Sequence, residues 1–341
     1  MTFLPQLVII LSAVTAVVIP VFTLFNEGDY LRWQISTPTF QTMWEEILIL
    51  AACLAVSGFI PKKRSVKIIL YSAITLVFAY IHSMLLPVLL AAAWFVVLCS
   101  FGSFTAGISA EIIIAAVLSI FGRCTPGMLW IITPAVSLLF NLAMRLFGYG
   151  TPAGNAFGRL RDAFAEENIF TLPAVLSLLV QVGRANWAID YDSLWYGLRS
   201  TYVLAPNGSV FEDLGLVGMT YTYSKGYEIL TLPLEGFKSL GYVPAFSIIL
   251  FALGLSVTYR LALHLTGRKN ARLAVIITAC IPAMCTMSMS AKSDIITWVL
   301  QLMLMERFFE LNRVLSPGPT EMPEEKTHGT KSPSLVFCEM L

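Results

Sequence analysis

Trp187-Ala-Ile-Asp190-Tyr-Asp192-Ser-Leu-Trp195-Tyr196-Gly-Leu-Arg199 opens the longest amphipathic segment of the chain, residues 187–241. The segment continues through Asn207-Gly208 to Tyr221-Thr-Tyr-Ser-Lys225-Gly-Tyr227-Glu228. Apolar runs long enough to cross a bilayer stand on both sides of it. Two carboxylates two residues apart, set among aromatics at the edge of apolar sequence, are the best candidates here for chemistry. The hydrophobic helices are read as the frame that holds this segment at the water–lipid boundary.

Composition supports that frame. The chain has 341 residues, of which 57% are hydrophobic and 13% charged, with a mean hydropathy of +0.76. A soluble domain carries about 25% charged residues, so the expected class is a polytopic membrane protein. A net charge of +1 excludes a strongly basic nucleic-acid binder. Of six cysteines, Cys53, Cys99, Cys280 and Cys285 lie in apolar runs, Cys124 in a short loop and Cys338 in the tail. No CxxC or Cys/His spacing suggests zinc, so they read as small hydrophobes. No cofactor is implied and no metal ligand set is assigned; nothing indicates a divalent cation.

A span needs roughly 20 apolar residues. Residues 3–24 have no basic region before them and no small-residue cleavage site after them, so they read as a first membrane helix. Further spans are expected at 46–60, 67–82, 84–101, 108–121, 128–147, 169–182, 242–265, 273–289 and 295–309. The stretch 67–101 also reads as a bent helix pair or a re-entrant element. The expectation is an all-α transmembrane bundle of about ten spans, with a large external loop carrying short interfacial helices. Residues 1–168 form the N-terminal helices, 169–315 a second module with its loop at 184–241, and 316–341 a polar, proline-rich tail too poor in apolar residues to fold alone.

Positive charge sets the expected orientation. Lys62, Lys63, Arg64 and Lys67 crowd one loop, and Arg268, Lys269 and Arg272 another. Both fall on one side with Arg145, Arg159, Arg161, Arg307 and Arg313. That side is read as cytoplasmic, with both termini. The central loop and the turn at residues 290–294 then face outward.

Each motif has a plain reading beside its chemical one. Asp190 and Asp192 lie roughly 200° apart if helical and on one side if extended. They are either acids of a solvated loop, one capping a helix from Ser193, or a general base and its partner. Trp195, Tyr196, Tyr202, Tyr221, Tyr223 and Tyr227 suit an interfacial aromatic belt or stacking on a sugar. Lys225 precedes a short apolar segment at residues 229–233 that reads as interfacial, and it is a candidate phosphate partner. Lys292 and Asp294 open a helix at a tight turn, where Asp294 suits the helix dipole and Lys292 suits a phosphate. His82 and His264 read as structural, and Glu111 as interfacial.

Asp192-Ser-Leu-Trp-Tyr196-Gly-Leu-Arg199, Asn207-Gly208-Ser, Gly226-Tyr227-Glu228-Ile-Leu and Lys292-Ser-Asp294 together resemble membrane glycosyltransferases of the GT-C fold. These include the protein-mannosyltransferase and lipid A aminoarabinose-transferase relatives. The resemblance covers residues 169–315 and implies a polyprenyl-phosphate-linked sugar as donor. It implies Asp192 as the catalytic carboxylate, with Asp190 as second choice. Tyr196, Arg199, Lys225, Tyr227, Glu228, Lys292 and Asp294 are implied as substrate-binding, with Lys292 on the lipid phosphate. Gly197 stands where the family often has His. About seven spans precede the motif loop here, whereas the family starts it after the first helix. The family also continues with further helices, so a shortened chain completed by a second chain is expected, in membrane lipid at the plasma membrane.

The expected reaction moves a sugar to an acceptor at the outer face. A transporter or assembly subunit is the alternative. An enzyme predicts Asp192, Glu228, Lys292 and Asp294 meeting in one outward cavity; a transporter predicts a polar path deeper in the bundle, around His82 or Asn141.

Overall fold

The computed structural model describes residues 64–156, 158, 172–185, 193, 197–213, 225–237 and 240–315. The expected spans at 3–24 and 46–60, most of the polar loop before residue 172 and the tail from 316 lie outside these residues. Among the described residues every regular element is helical.

Helix α1 spans Arg64–Ile81 and α2 spans Leu85–Cys99. Ser83 turns the chain between them at φ 57°. Helix α3, Phe104–Ile120, bends from α2 at 94°, a broken pair one connection beyond the two helices that fill the stretch 67–101. Ser103 caps α3, its hydroxyl accepting from Ala106 N at 3.1 Å, which satisfies one orphan donor of the first turn. Gly107 permits the fold-back: a Cβ there would lie 2.1 Å from the Leu98 carbonyl oxygen.

Helix α4, Pro126–Leu146, begins with Thr125 as cap and proline at its first position, where a missing N–H costs nothing. It has 21 residues and is long and apolar enough to cross a membrane. One face is apolar and bare: Leu138, Leu139 and Leu146 are 71%, 63% and 77% exposed. The opposite face is polar and packed, carrying buried Thr133 and Ser137. Such a helix fits a bundle edge, lipid outside and protein inside.

Helix α5, Leu172–Arg184, leads to the central stretch, which includes a 3-10 turn at Arg199–Thr201, a short α6 at Leu204–Asn207 and α7 at Gly226–Thr231. A second 3-10 turn, Leu232–Gly236, continues α7. Helix α8, Tyr242–Thr266, is the other helix of membrane-crossing length, 25 residues. Unlike α4 it is central, packed by α2, α5, α9 (Arg268–Cys280) and α11 (Asp294–Leu315). Phe246, Leu250, Phe251 and Tyr259 of α8 join Trp94 and Leu98 of α2 in the main core. Among the described residues two helices therefore meet the length and hydropathy of a span, or three if the bent α2–α3 pair is one.

The expected span 273–289 is broken at Pro282. Proline disfavours helix for the residue before it, and Ile281 is extended at φ −68°, ψ 118°. A short α10, Pro282–Met287, follows. Ser177 of α5 donates to the Ala279 carbonyl at 2.7 Å, and the Cys285 thiol approaches the same oxygen at 3.3 Å. A backbone oxygen at such a break needs a partner in an apolar setting, and these side chains supply it.

Candidate functional site

The central stretch is built onto the turn between α10 and α11. Leu198 N–H bonds to Ser193 O at 2.8 Å, an i→i−5 closure of the wide-turn kind found often at functional positions. That turn places the Ser193 hydroxyl to accept from Ala291 N at 2.9 Å. Gly197 lies against the same residue, where a Cβ would stand 1.6 Å from the Ala291 oxygen. No larger side chain fits, which gives a packing reason for glycine at this position. Lys292, half-buried, and Asp294, exposed as the first residue of α11, follow directly.

A second tie reaches the turn from α7. The Tyr227 hydroxyl meets Ser247 Oγ at 2.7 Å, and Ser247 donates to Ser290 O at 2.8 Å. Tyr227 is 2% exposed, so it is a buried hydrogen-bonded residue rather than part of an interfacial belt. Most of the segment 226–236 is buried too, with Gly236 exposed at its end. Leu230, Thr231, Leu232 and Leu234 are inaccessible, correcting the expectation that it lies along the interface. Two indoles hold it there: Trp94 of α2 donates to Leu230 O at 2.9 Å, and Trp130 of α4 to Pro233 O at 3.0 Å. Their rings meet edge to face, centroids 5.2 Å apart.

The same segment carries two buried carboxyls. Glu235 is held by Ser200 Oγ, by Thr201 Oγ1 at 3.0 Å and by Thr231 Oγ1 at 3.2 Å, all donating. Burial pushes its carboxyl up to about 7; the three hydroxyls pull it down, and Glu228 pushes it further up. Glu228 is also raised to about 7 by burial, against its own backbone hydrogen bond and the nearby Lys225 charge. Its Oε2 is buried and meets no partner among the described residues. Lys225 itself donates to Val210 O at 3.2 Å and to Glu212 O, so two of its three N–H groups tie residues 210–212 to the start of α7.

No protein-family model, curated protein or solved structure matches the chain. Geometry and residue chemistry carry the functional argument from here.

Of the residues singled out in the sequence, Asp190, Asp192 and Tyr196 lie outside the described residues. Arg199 is half-buried in its 3-10 turn, next to the Ser200 and Thr201 that hold Glu235. Tyr227 is linked through Ser247 to the carbonyl of Ser290, two residues before Lys292. Glu235 was not singled out. Its signal is an acid seven residues after Glu228 inside Leu-Pro-Leu-Glu-Gly, so that the two share a helical face about two turns apart.

Glu111 differs from its expected interfacial place. It is inaccessible in the interior, accepting from Thr133 Oγ1 at 2.7 Å. Asn141 donates to Ser100 O at 2.8 Å and Ser137 O at 2.9 Å, and accepts from Ala153 N at 2.8 Å. Ser100 and Ser137 hydroxyls meet at 2.5 Å. His82 is buried with its ring against Phe78, centroids 4.3 Å apart. At the other end of the bundle, donor atoms of His264, Glu306 and Glu310 lie within 4.8 Å of one another. Both carboxylates there already face guanidinium groups, Glu306 that of Arg260 and Glu310 that of Arg307.

Proposed function

We propose that this protein is an integral-membrane glycosyltransferase of the GT-C kind. In this reading it moves a sugar from a polyprenyl-phosphate donor to an acceptor at the outer face of the plasma membrane. About ten spans, both termini cytoplasmic and a possible partner chain belong to the same reading. The observation that carries it is the docking of Ser193 and Gly197 on Ala291. It brings the chain flanking Asp192 to the turn that bears Lys292 and Asp294, two motifs about a hundred residues apart in sequence.

Asp192 takes the proton of the acceptor hydroxyl as the sugar carbon is attacked, a role that contributes about 10²–10⁴ in rate. Lys292 and Arg199 meet the phosphate on which negative charge grows as the glycosidic bond breaks. Glu228, buried with an oxygen that meets no partner among the described residues, is suited to accept from a sugar hydroxyl. The lipid chain of the donor enters sideways between helices.

The test is sugar transfer from a radiolabelled polyprenyl-phosphate sugar in membranes containing the whole chain. Asp192→Asn is expected to lose at least a hundredfold in rate, while Asp190→Asn retains activity. Equal activity in wild type and Asp192→Asn rejects the assignment.

A transporter or assembly subunit is the second reading, favoured by one observation. The polar groups around Asn141 do form an interior row on α4, reaching Ser100 at the α2–α3 bend.

A further inference from the structure

We propose that Glu111 is a proton-binding site inside the helix bundle, served by the polar face of α4. Glu111 lies midway along α3 and is inaccessible to solvent. Its Oε2 accepts from Thr133 at 2.7 Å, while Oε1 is buried and meets no donor among the described residues. A carboxylate left half-satisfied in an apolar interior is among the costliest arrangements a bundle can hold. The remedy is a ligand at Oε1.

The neighbours narrow that ligand to a proton. Helix α3 is packed by α2, α4 and α7. Their titratable groups are Cys99 on α2, Arg145 on α4, and Tyr227 and Glu228 on α7; Arg123 and Cys124 sit in the loop before α4. Arg145 stands twelve residues beyond Thr133, or about 18 Å along the helix. Tyr227 is committed to Ser247. Burial pushes the Cys124 thiol up, against a hydrogen bond from Ser119, and a thiol brings no positive charge in either form. A metal cation would need about six oxygens, and the carboxyl and one hydroxyl are too few.

The route follows from helix geometry. Thr133, Ser137 and Asn141 recur every four residues and so line one face of α4. Thr133 and Ser137 are buried, and Ser100 closes the row at the bend through its contacts with Ser137 and Asn141. Hydroxyl groups both donate and accept, which suits them to pass a proton that the aliphatic face opposite would refuse. The site is independent of sugar transfer: Asp192→Asn leaves it unchanged.

The test uses dicyclohexylcarbodiimide, an apolar reagent that forms an adduct with protonated carboxyl groups. Membranes containing the whole chain are treated across a range of pH, and adducts are located by peptide mass spectrometry. Glu111 is expected to be modified, with label falling several-fold as pH is raised and with sodium ions making no difference. Thr133→Val, similar in volume, removes the hydroxyl that favours the charged form and is expected to carry more label at a given alkaline pH. Protection by sodium at constant pH would overturn the proposal in favour of a metal cation. Absence of a Glu111 adduct at every pH, or label independent of pH, also overturns it.

Discussion

Glu228 and Glu235 turn burial into a pH dependence. Both carboxyls stand above the ordinary 4.5, at about 7. A raised acid binds its proton more tightly folded than unfolded, so its contribution to stability is full below about pH 4.5. It is lost as pH rises through about 7. Each carboxyl contributes at most on the order of 3 kcal/mol across that window, and because they feel each other they titrate as a pair. The midpoint of thermal unfolding in detergent is therefore expected to fall between about pH 5 and about pH 8. Glu235→Gln, which resembles the protonated acid, should flatten that slope. An unchanged slope would show that the carboxyl is ionised in the fold.

Among the elements, the short helical segment 226–236 shows how a bundle holds a polar insertion. Its Leu230 and Pro233 carbonyls are met by Trp94 and Trp130, its hydroxyls by Ser247 and Glu235, and its leucines by the core. Trp130→Phe keeps most of the ring area but removes the donor to Pro233 O, and should cost about 1–2 kcal/mol by denaturant titration. The docking of residues 193–197 is stricter. Gly197→Ala places a methyl inside the Ala291 carbonyl and should cost about 3 kcal/mol or more. Ser193→Ala loses one hydrogen bond and about 1 kcal/mol. If both substitutions prove equally mild, the turn does not rest on this contact.

For the molecule as a whole, the test is sidedness. The charge-based orientation expects the 290–294 turn outside and the Arg268–Arg272 cluster inside. Asp294→Cys, at an exposed residue, should react with a membrane-impermeant thiol reagent on intact cells. Lys269→Cys, also exposed, should react after permeabilisation, each measured against the six native cysteines. The reverse pattern would invert the molecule and put the proposed sugar-transfer face in the cytoplasm. The bare apolar side of α4 and the packed α8 agree with a bundle whose edge meets lipid and whose centre meets protein.

What the sequence determined by itself is the helical class and the approximate position of the longer apolar helices, because long apolar runs cross lipid as helices. Ser103, Thr125-Pro126 and Pro282 mark boundaries that the fold uses, yet the span expected at 273–289 ran through Pro282. What tertiary structure alone decided is which helices bend and which polar residues meet. The fold-back of α3 on α2 depends on Gly107 reaching Leu98, and the docking of Gly197 depends on a carbonyl ninety-four positions away. Glu111 and Glu235 look like ordinary acids in sequence. Burial against distant hydroxyls makes them otherwise, and burial is a property of packing that no local pattern of residues encodes.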